Sequence, residues 1–279
     1  MRLLLSMLSL FMLAQLLGIF TGITILADMY QNPYVEELVV TADTEEPMNA
    51  LFLITYILLG AALMIVLIRL FKAYPIVFIL MELVLISTAS SIVFYAVLRL
   101  LLGYEISTLI AIVMGLVFAA LKMVLPGLKN AAAVLATAGV GVIFGISLGL
   151  IPLIVFLILL SIYDYLSVFA TRHMVELANF VIKKNLAFTV TAKAPPVREG
   201  EKERRIDLGT GDMIAPIMLE VSALSFNPVA TVFVFFGAMI SLALFLILVW
   251  KKKMVLPALP PIVLGMTASL LLGFILGFY

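Results

Sequence analysis

The chain contains no cysteine and a single histidine, His173. The first absence rules out disulfides, thiolate metal ligands and a cysteine nucleophile, and it leaves the redox compartment open. The second rules out a zinc site built from several histidines and leaves a Ser-His pair hard to assemble. No Asn-x-Ser/Thr sequon occurs, so glycosylation gives no guide to sidedness. Charge is scarce as well. Asp, Glu, Lys and Arg make up 12% of the 279 residues, against about a quarter in soluble domains. The net charge of +1 offers nothing to a nucleic-acid backbone, so no nucleic acid is expected as a partner.

What fills the chain is apolar: 65% of residues are hydrophobic. Runs of about 20 such residues are long enough to cross a ~30 Å hydrocarbon core. Nine are read here, at 3–27, 49–70, 75–98, 106–124, 130–148, 150–171, 208–225, 228–250 and 256–278. The fifth and sixth nearly merge. They are divided at Gly149 and Pro152, because one helix of that length would overshoot the bilayer. The run after Arg2 is too long for a signal-peptide core and no Ala-x-Ala site follows it, so it is read as a retained first span.

Charge placement tests the count. With the N-terminus inside, every basic residue except Arg99 falls in an inner loop or at an inner helix end, as the positive-inside rule expects. The first outer loop carries Asp28, Glu36, Glu37, Asp43, Glu45 and Glu46 and no basic residue. The expected fold class is therefore an all-α polytopic membrane protein of nine transmembrane helices, N-terminus inside and C-terminus outside. It forms one membrane domain, with helices one to six in 1–171, a cytoplasmic loop at 172–207 and helices seven to nine in 208–279. In that loop, 174–184 has an apolar face suited to an interfacial helix. Residues 186–192 alternate with period two, as a strand does. Pro195-Pro196 and the charge run to Arg205 read as flexible linker. Small-xxx-small steps at Gly18/Gly22, Gly141/Gly145/Gly149 and Gly273/Gly277 read as helix-packing contacts.

Carboxylates inside apolar spans are costly, roughly 2.5–3.5 kcal/mol each on insertion scales, so each is a functional candidate. Four qualify: Glu82, Asp164, Asp212 and Glu220. Asp164 lies seven residues before the end of span six, roughly 10 Å from the inner surface. Asp212 lies four residues into span seven, roughly 6 Å deep. Two antiparallel helices about 8–10 Å apart can bring such groups together. A close carboxylate pair cannot both ionise easily, so one holds a proton while the other serves as a base for water. That chemistry needs no metal, cofactor, cysteine or histidine. Glu82 and Glu220 read as packing or cavity-lining groups rather than catalysts.

The flanking residues add to the pair. Gly209 and Gly211, in Gly209-Thr210-Gly211-Asp212, allow close approach beside the second aspartate. Pro257, Ala258 and Leu259 open span nine at the same level, where prolines at 257, 260 and 261 withhold amide donors and would leave carbonyls free beside the site. Tyr163, next to Asp164, serves either packing or the pair itself.

In these three motifs, Tyr163-Asp164, Gly209 to Asp212 and Pro257 to Leu259, the chain resembles the presenilin and signal peptide peptidase family of GxGD intramembrane aspartyl proteases. Each motif alone is weak, but here all three stand in order on helices six, seven and nine. Leu256-Pro257-Ala258-Leu259-Pro260 and the inside N-terminus are similar to the presenilin branch. The size and missing cysteines suggest a free-standing prokaryotic, archaeal-type homologue in the cell membrane. The resemblance implies an aspartic endopeptidase that cuts peptide bonds within or near transmembrane helices. Asp164 and Asp212 would be catalytic, Tyr163, Gly209 and Gly211 would support them, and Pro257, Ala258 and Leu259 would hold substrate. It implies single-span membrane proteins or peptides as substrates and the lipid bilayer as setting; homo-oligomerisation is left open. The 172–207 loop is short by the standard of animal presenilins, and nothing in it calls for self-cleavage.

The alternative of another class is a secondary transporter whose intramembrane carboxylates couple protons or sodium. The absence of a clear repeat and the Pro-Ala-Leu entry to span nine stand against it. A Gly-x-Ser-x-Gly pattern at 145–149 lacks the preceding strand of a nucleophile elbow, and His173 lies about 30 Å away across the bilayer. Ser147 is therefore read as a packing residue.

Overall fold

Long apolar stretches leave the backbone one way to satisfy its own polar groups in lipid, the helix, and helices dominate here. The computed structural model describes residues 2–32, 35, 37–41, 43–71, 75–169, 186–194, 204–252 and 256–279. Among the described residues there are nine α-helices: α1 Arg2–Met29, α2 Met48–Phe71, α3 Pro75–Arg99, α4 Tyr104–Val124, α5 Lys129–Ser147, α6 Leu150–Phe169, α7 Thr210–Phe226, α8 Pro228–Lys252 and α9 Leu259–Ile275. Strands β1 Thr189–Ala194 and β2 Arg204–Gly209 lie between α6 and α7. Six segments are long and apolar enough to cross a membrane: α1, 78–99 of α3, α4, Pro126–Ser147 with α5, α6, and 228–249 of α8. The protein is a mostly helical polytopic membrane protein.

Helix boundaries follow local chemistry. α5 and α6 separate at Leu148, which is extended at φ −126° and ψ 126°, close to the expected break. Between α7 and α8, the Asn227 side chain accepts the Val229 N–H at 2.8 Å and Pro228 takes the first helical position. That is a side-chain N-cap followed by proline.

The core is organised around α7, which touches α1, α5, α6, α8 and α9. Its residues from Met213 to Ala223, apart from Ile214, are buried. Glycines allow the closest approaches. A Cβ on Gly18 of α1 would overlap Ile217, and one on Gly22 would stand 2.8 Å from Val221. From the other side, Cβ atoms on Gly141 and Gly145 of α5 would come within 2.6 Å of Ile217 and 2.8 Å of the Met218 carbonyl. The expected packing role therefore holds for these four. Gly149 instead lies against the Glu45 carboxylate, Gly273 against the Tyr279 ring, and Gly277 takes a positive φ of 73° after α9. These three make room for a loop and the C-terminus, not for a neighbouring helix.

The segment between α6 and α7 departs most from expectation. The strand expected at 186–192 begins three residues later, at Thr189. The charge run expected to continue as linker through Arg205 becomes β2 from Arg204, paired antiparallel with β1 in the register Thr191↔Asp207. The helix expected from Leu208 starts at Thr210, because Leu208 and Gly209 complete β2. The interfacial helix expected at 174–184, and His173, lie outside the described residues.

At the end of the bundle away from the sheet, Ser147 is buried and hydrogen-bonded. Its Oγ donates to the Ile143 carbonyl at 2.7 Å and accepts the Val40 N–H at 2.9 Å. It ties down the 37–41 segment. Arg99, the exception in the charge pattern, pairs at 2.9 Å with Asp28, which also accepts the Tyr95 hydroxyl at 2.6 Å.

Candidate active site

The site assembles where α6, α7 and α9 meet near the sheet. Asp164 sits on the last two turns of α6 and is half-buried. Its Oδ2 is enclosed and has no hydrogen-bond partner among the described residues. The Leu259 backbone N–H is directed at its carboxylate. The reason lies in how α9 begins. Ala258 is its N-cap, Leu259 the first helical residue, and Pro260 and Pro261 follow. The first amides of any helix lack intrahelical partners. Here two of them are proline nitrogens, so Leu259 supplies the free donor, and it points at a carboxylate as a helix N-terminus favours. Beside the carbonyls expected free from this motif, the group facing Asp164 is a donor. Ala258 and Leu259 are buried and Pro257 is half-buried.

Asp212 is the third residue of α7, whose N-cap is Gly209. Its carboxylate turns back toward the Gly209 N–H, as an acid at N3 faces its N-cap. It lies close enough to Asp164 for the two charges to act on one another. A Cβ at Gly209 would stand 3.2 Å from Asp212 Oδ2, whereas one at Gly211 would meet nothing within 4 Å. Pro216, four residues after Asp212, was not singled out from the sequence. It lacks the N–H that would bond the Asp212 carbonyl, which loosens the helix immediately past the site. The Asp-x-x-x-Pro spacing was the available signal.

The structure thus brings together Asp164, Asp212, Gly209, Gly211 and Leu259, with Tyr163 half-buried beside Asp164. Glu82 and Glu220 are placed elsewhere. Glu82 pairs with Lys122 and accepts the Ala187 N–H. Glu220 is fully buried on α7, and neither of its carboxylate oxygens has a hydrogen-bond partner among the described residues. Among the described residues no group of three or more His, Asp or Glu is placed to share a metal ion.

Among the described residues the sheet beside the site has one closed edge and one edge without hydrogen-bond partners. Thr191 of β1 gives its N–H to Asn130 Oδ1 at 2.9 Å and takes Asn130 Nδ2 on its carbonyl at 2.8 Å. In an antiparallel pair both backbone groups of a residue point the same way. Thr191 therefore faces away from β2, and Val190, Ala192 and Ala194 make the ladder bonds to Leu208, Ile206 and Arg204. The Phe188 carbonyl continues the ladder, accepting the Thr210 N–H at 3.1 Å. By the same alternation Arg205 and Asp207 turn their backbone groups to the outer edge of β2.

The comparisons bear on the family and the fold. The sequence matches the family described as signal-peptide peptidase, presenilin aspartyl protease over residues 8–278. One similar solved structure is a presenilin family intramembrane aspartate protease in a C222 crystal form. It is 25% identical, with a TM-score of 0.71 over 98% of this chain and 99% of that one. A second, in a P2 crystal form, is 27% identical, with a TM-score of 0.65 over 95% and 97%. No curated protein matches the chain. With the family spanning nearly its whole length and the fold shared end to end, the chain belongs to the signal-peptide peptidase and presenilin family of intramembrane aspartyl proteases.

Proposed function

We propose that Asp164 and Asp212 are the catalytic pair with which this protease hydrolyses peptide bonds in membrane-protein substrates. The observation that carries the reading is their convergence. Two carboxylates from α6 and α7 lie within range of each other's charge, each facing a backbone N–H, and Asp164 keeps one enclosed oxygen without a hydrogen-bond partner among the described residues. In the reactive form the pair shares one proton. The ionised carboxylate takes a proton from water, and the water oxygen bonds to the scissile carbonyl carbon. The protonated partner gives its proton to the carbonyl oxygen. When the tetrahedral intermediate collapses, the amide nitrogen receives a proton, the C–N bond breaks, and the products are a carboxylate and an amine. Tyr163, Gly209 and Gly211 support the pair, and Pro257, Ala258 and Leu259 frame the place where substrate lies.

The finer topology rests on the sequence. The apolar runs and charge distribution favour nine spans with the N-terminus inside, six before the 172–207 loop and three after it. A substrate bond must leave its helix before water can reach it, and its backbone then needs partners in a dry setting. Strand addition supplies them. The alternating run at 186–192, or the free carbonyls near Pro257 to Leu259, would offer such a receptor. With β1 occupied by Asn130 and by β2, the outer edge of β2 is the better receptor, and it leads directly to Asp212. Single-span proteins with their N-termini outside are the expected substrates, and self-association remains compatible with the fold. Nothing in the fold or family supports a transporter.

The test is cleavage of a single-span substrate by purified protein. Asp164→Asn and Asp212→Asn each keep side-chain shape and lose the acid–base function. Each should lower kcat by at least about 100-fold with the helical fold intact. Substantial turnover by either variant would end the assignment.

A further inference from the structure

Glu82 and Lys122 take no part in this chemistry, yet both are buried, at 2% and 6% exposure. Glu82 on α3 pairs with Lys122 on α4 through its Oε1, and that same oxygen accepts the backbone N–H of Ala187. Beside it Leu186 is buried against Phe78, with Met64, Leu67, Met81 and Phe188 packed around them. The chain entering the sheet is therefore pinned to α2 and α3 by an apolar contact and by one charge-assisted hydrogen bond. Its next residue, Phe188, offers its carbonyl to both the N–H and the hydroxyl of Thr210, at 3.1 and 3.2 Å. Thr210 is the first residue of α7, and Asp212 follows two positions later.

From this continuous path we propose that Glu82 and Lys122 are a positioning pair: by fixing Ala187, and through Phe188 and Thr210, they set where the start of α7 holds Asp212 against Asp164. The proposal rests on the reading of Asp212 as catalytic. Stability alone does not account for the pair, because apolar side chains of similar volume often replace a buried ion pair without loss. What apolar side chains cannot supply is an acceptor at a fixed point for the Ala187 N–H, whose desolvation would otherwise go uncompensated. Lys122 in turn balances the charge that makes Glu82 a strong acceptor.

Two double variants separate the roles. Glu82→Gln with Lys122→Met removes both charges but keeps an oxygen where Oε1 stands. Glu82→Leu with Lys122→Met removes both charges and the oxygen. The glutamine variant is expected to keep kcat near wild type and to keep the Ala187 amide protected from hydrogen exchange. The leucine variant is expected to lose about 100-fold in kcat, the cost of about 1 Å of misplacement. Its KM should change little, the Ala187 amide should exchange faster, and the cut should spread to neighbouring bonds in product mass spectra. Equal kcat in the two variants, or a loss confined to KM or to melting temperature, would overturn the proposal. Should the leucine variant fail to fold, Ala187→Pro deletes the amide and leaves the ion pair in place. The same loss of kcat is then expected, and wild-type kcat would overturn the proposal. Asp212→Asn runs beside them. Activity surviving there overturns the two-aspartate reading itself, whereas a wild-type leucine variant beside an inactive Asp212→Asn overturns only the positioning pair.

Discussion

The two glycines of Gly209-Thr210-Gly211-Asp212 look equivalent in sequence, and the structure separates them. The Gly209 N–H faces Asp212, and a Cβ there would stand 3.2 Å from Oδ2, tighter than most real Cβ contacts. Gly211 is exposed, with nothing within 4 Å of where its Cβ would be. The first glycine makes room for the carboxylate, and the second borders open space among the described residues. Gly209→Ala should therefore act on the chemical step, lowering kcat about 10-fold, the equivalent of ~1.4 kcal/mol, with KM little changed. Gly211→Ala should raise KM more than it lowers kcat, because it fills space that substrate would take. Steady-state kinetics on one substrate decides between them, and the reverse pattern would mean the roles are exchanged.

At the scale of elements, the helices were legible in the sequence because most apolar runs have about the length lipid imposes, and the α5–α6 break stood at Leu148, beside Gly149. The candidate site was legible because its residues sit at helix ends with unusual composition: an acid in an apolar run, paired glycines, clustered prolines. β2 was obscured by charge. Arg204-Arg205-Ile206-Asp207-Leu208-Gly209 does alternate, with Leu208 buried, Ile206 half-buried and Arg205 exposed, but arginine and aspartate on the open face read as a solvated run. The Glu82–Lys122–Ala187 contact could not be read, since it joins three segments far apart in sequence. The sheet makes its own prediction. Proline at 205 removes an outward N–H and keeps the β1 ladder, at the cost of an exposed Arg205–Asp207 pair worth little. Proline at 206 removes the N–H that faces Ala192. Arg205→Pro should thus weaken substrate binding, seen as a raised KM in a protein that melts like the wild type. Ile206→Pro should also lower the melting temperature. Unchanged KM in Arg205→Pro would show that substrate does not add to this edge.

For the molecule as a whole, the open question of physics is how many helices cross and which way the bundle faces. Six segments satisfy length and apolarity among the described residues. Two of the remaining helices, α7 and α9, are short for local reasons. α7 has 17 residues, about 26 Å of helix, and carries both Asp212 and Glu220. α9 also has 17 residues and begins only at Leu259, after Pro257. A short helix buried among others need not meet lipid along its whole length, because its neighbours supply the apolar surroundings, and α7 is enclosed in this way. Parity then distinguishes the counts: nine crossings put the chain ends on opposite faces, and six or eight put them on the same face. Sidedness follows from charge. Arg99 is the one basic residue that nine spans leave outside, and its bond to Asp28 offsets its charge, so it adds little to the bias that orients the chain. Single cysteines placed in this cysteine-free chain give a direct reading through an impermeant thiol reagent on intact cells. Positions 31, 103 and 279 should label from outside, while 193 and 252 should label only after the membrane is opened. Labelling of 193 on intact cells would invert the bundle and with it the direction in which substrate must enter. Labelling of 279 from the same side as 193 would remove one crossing and leave the charge pattern without an explanation.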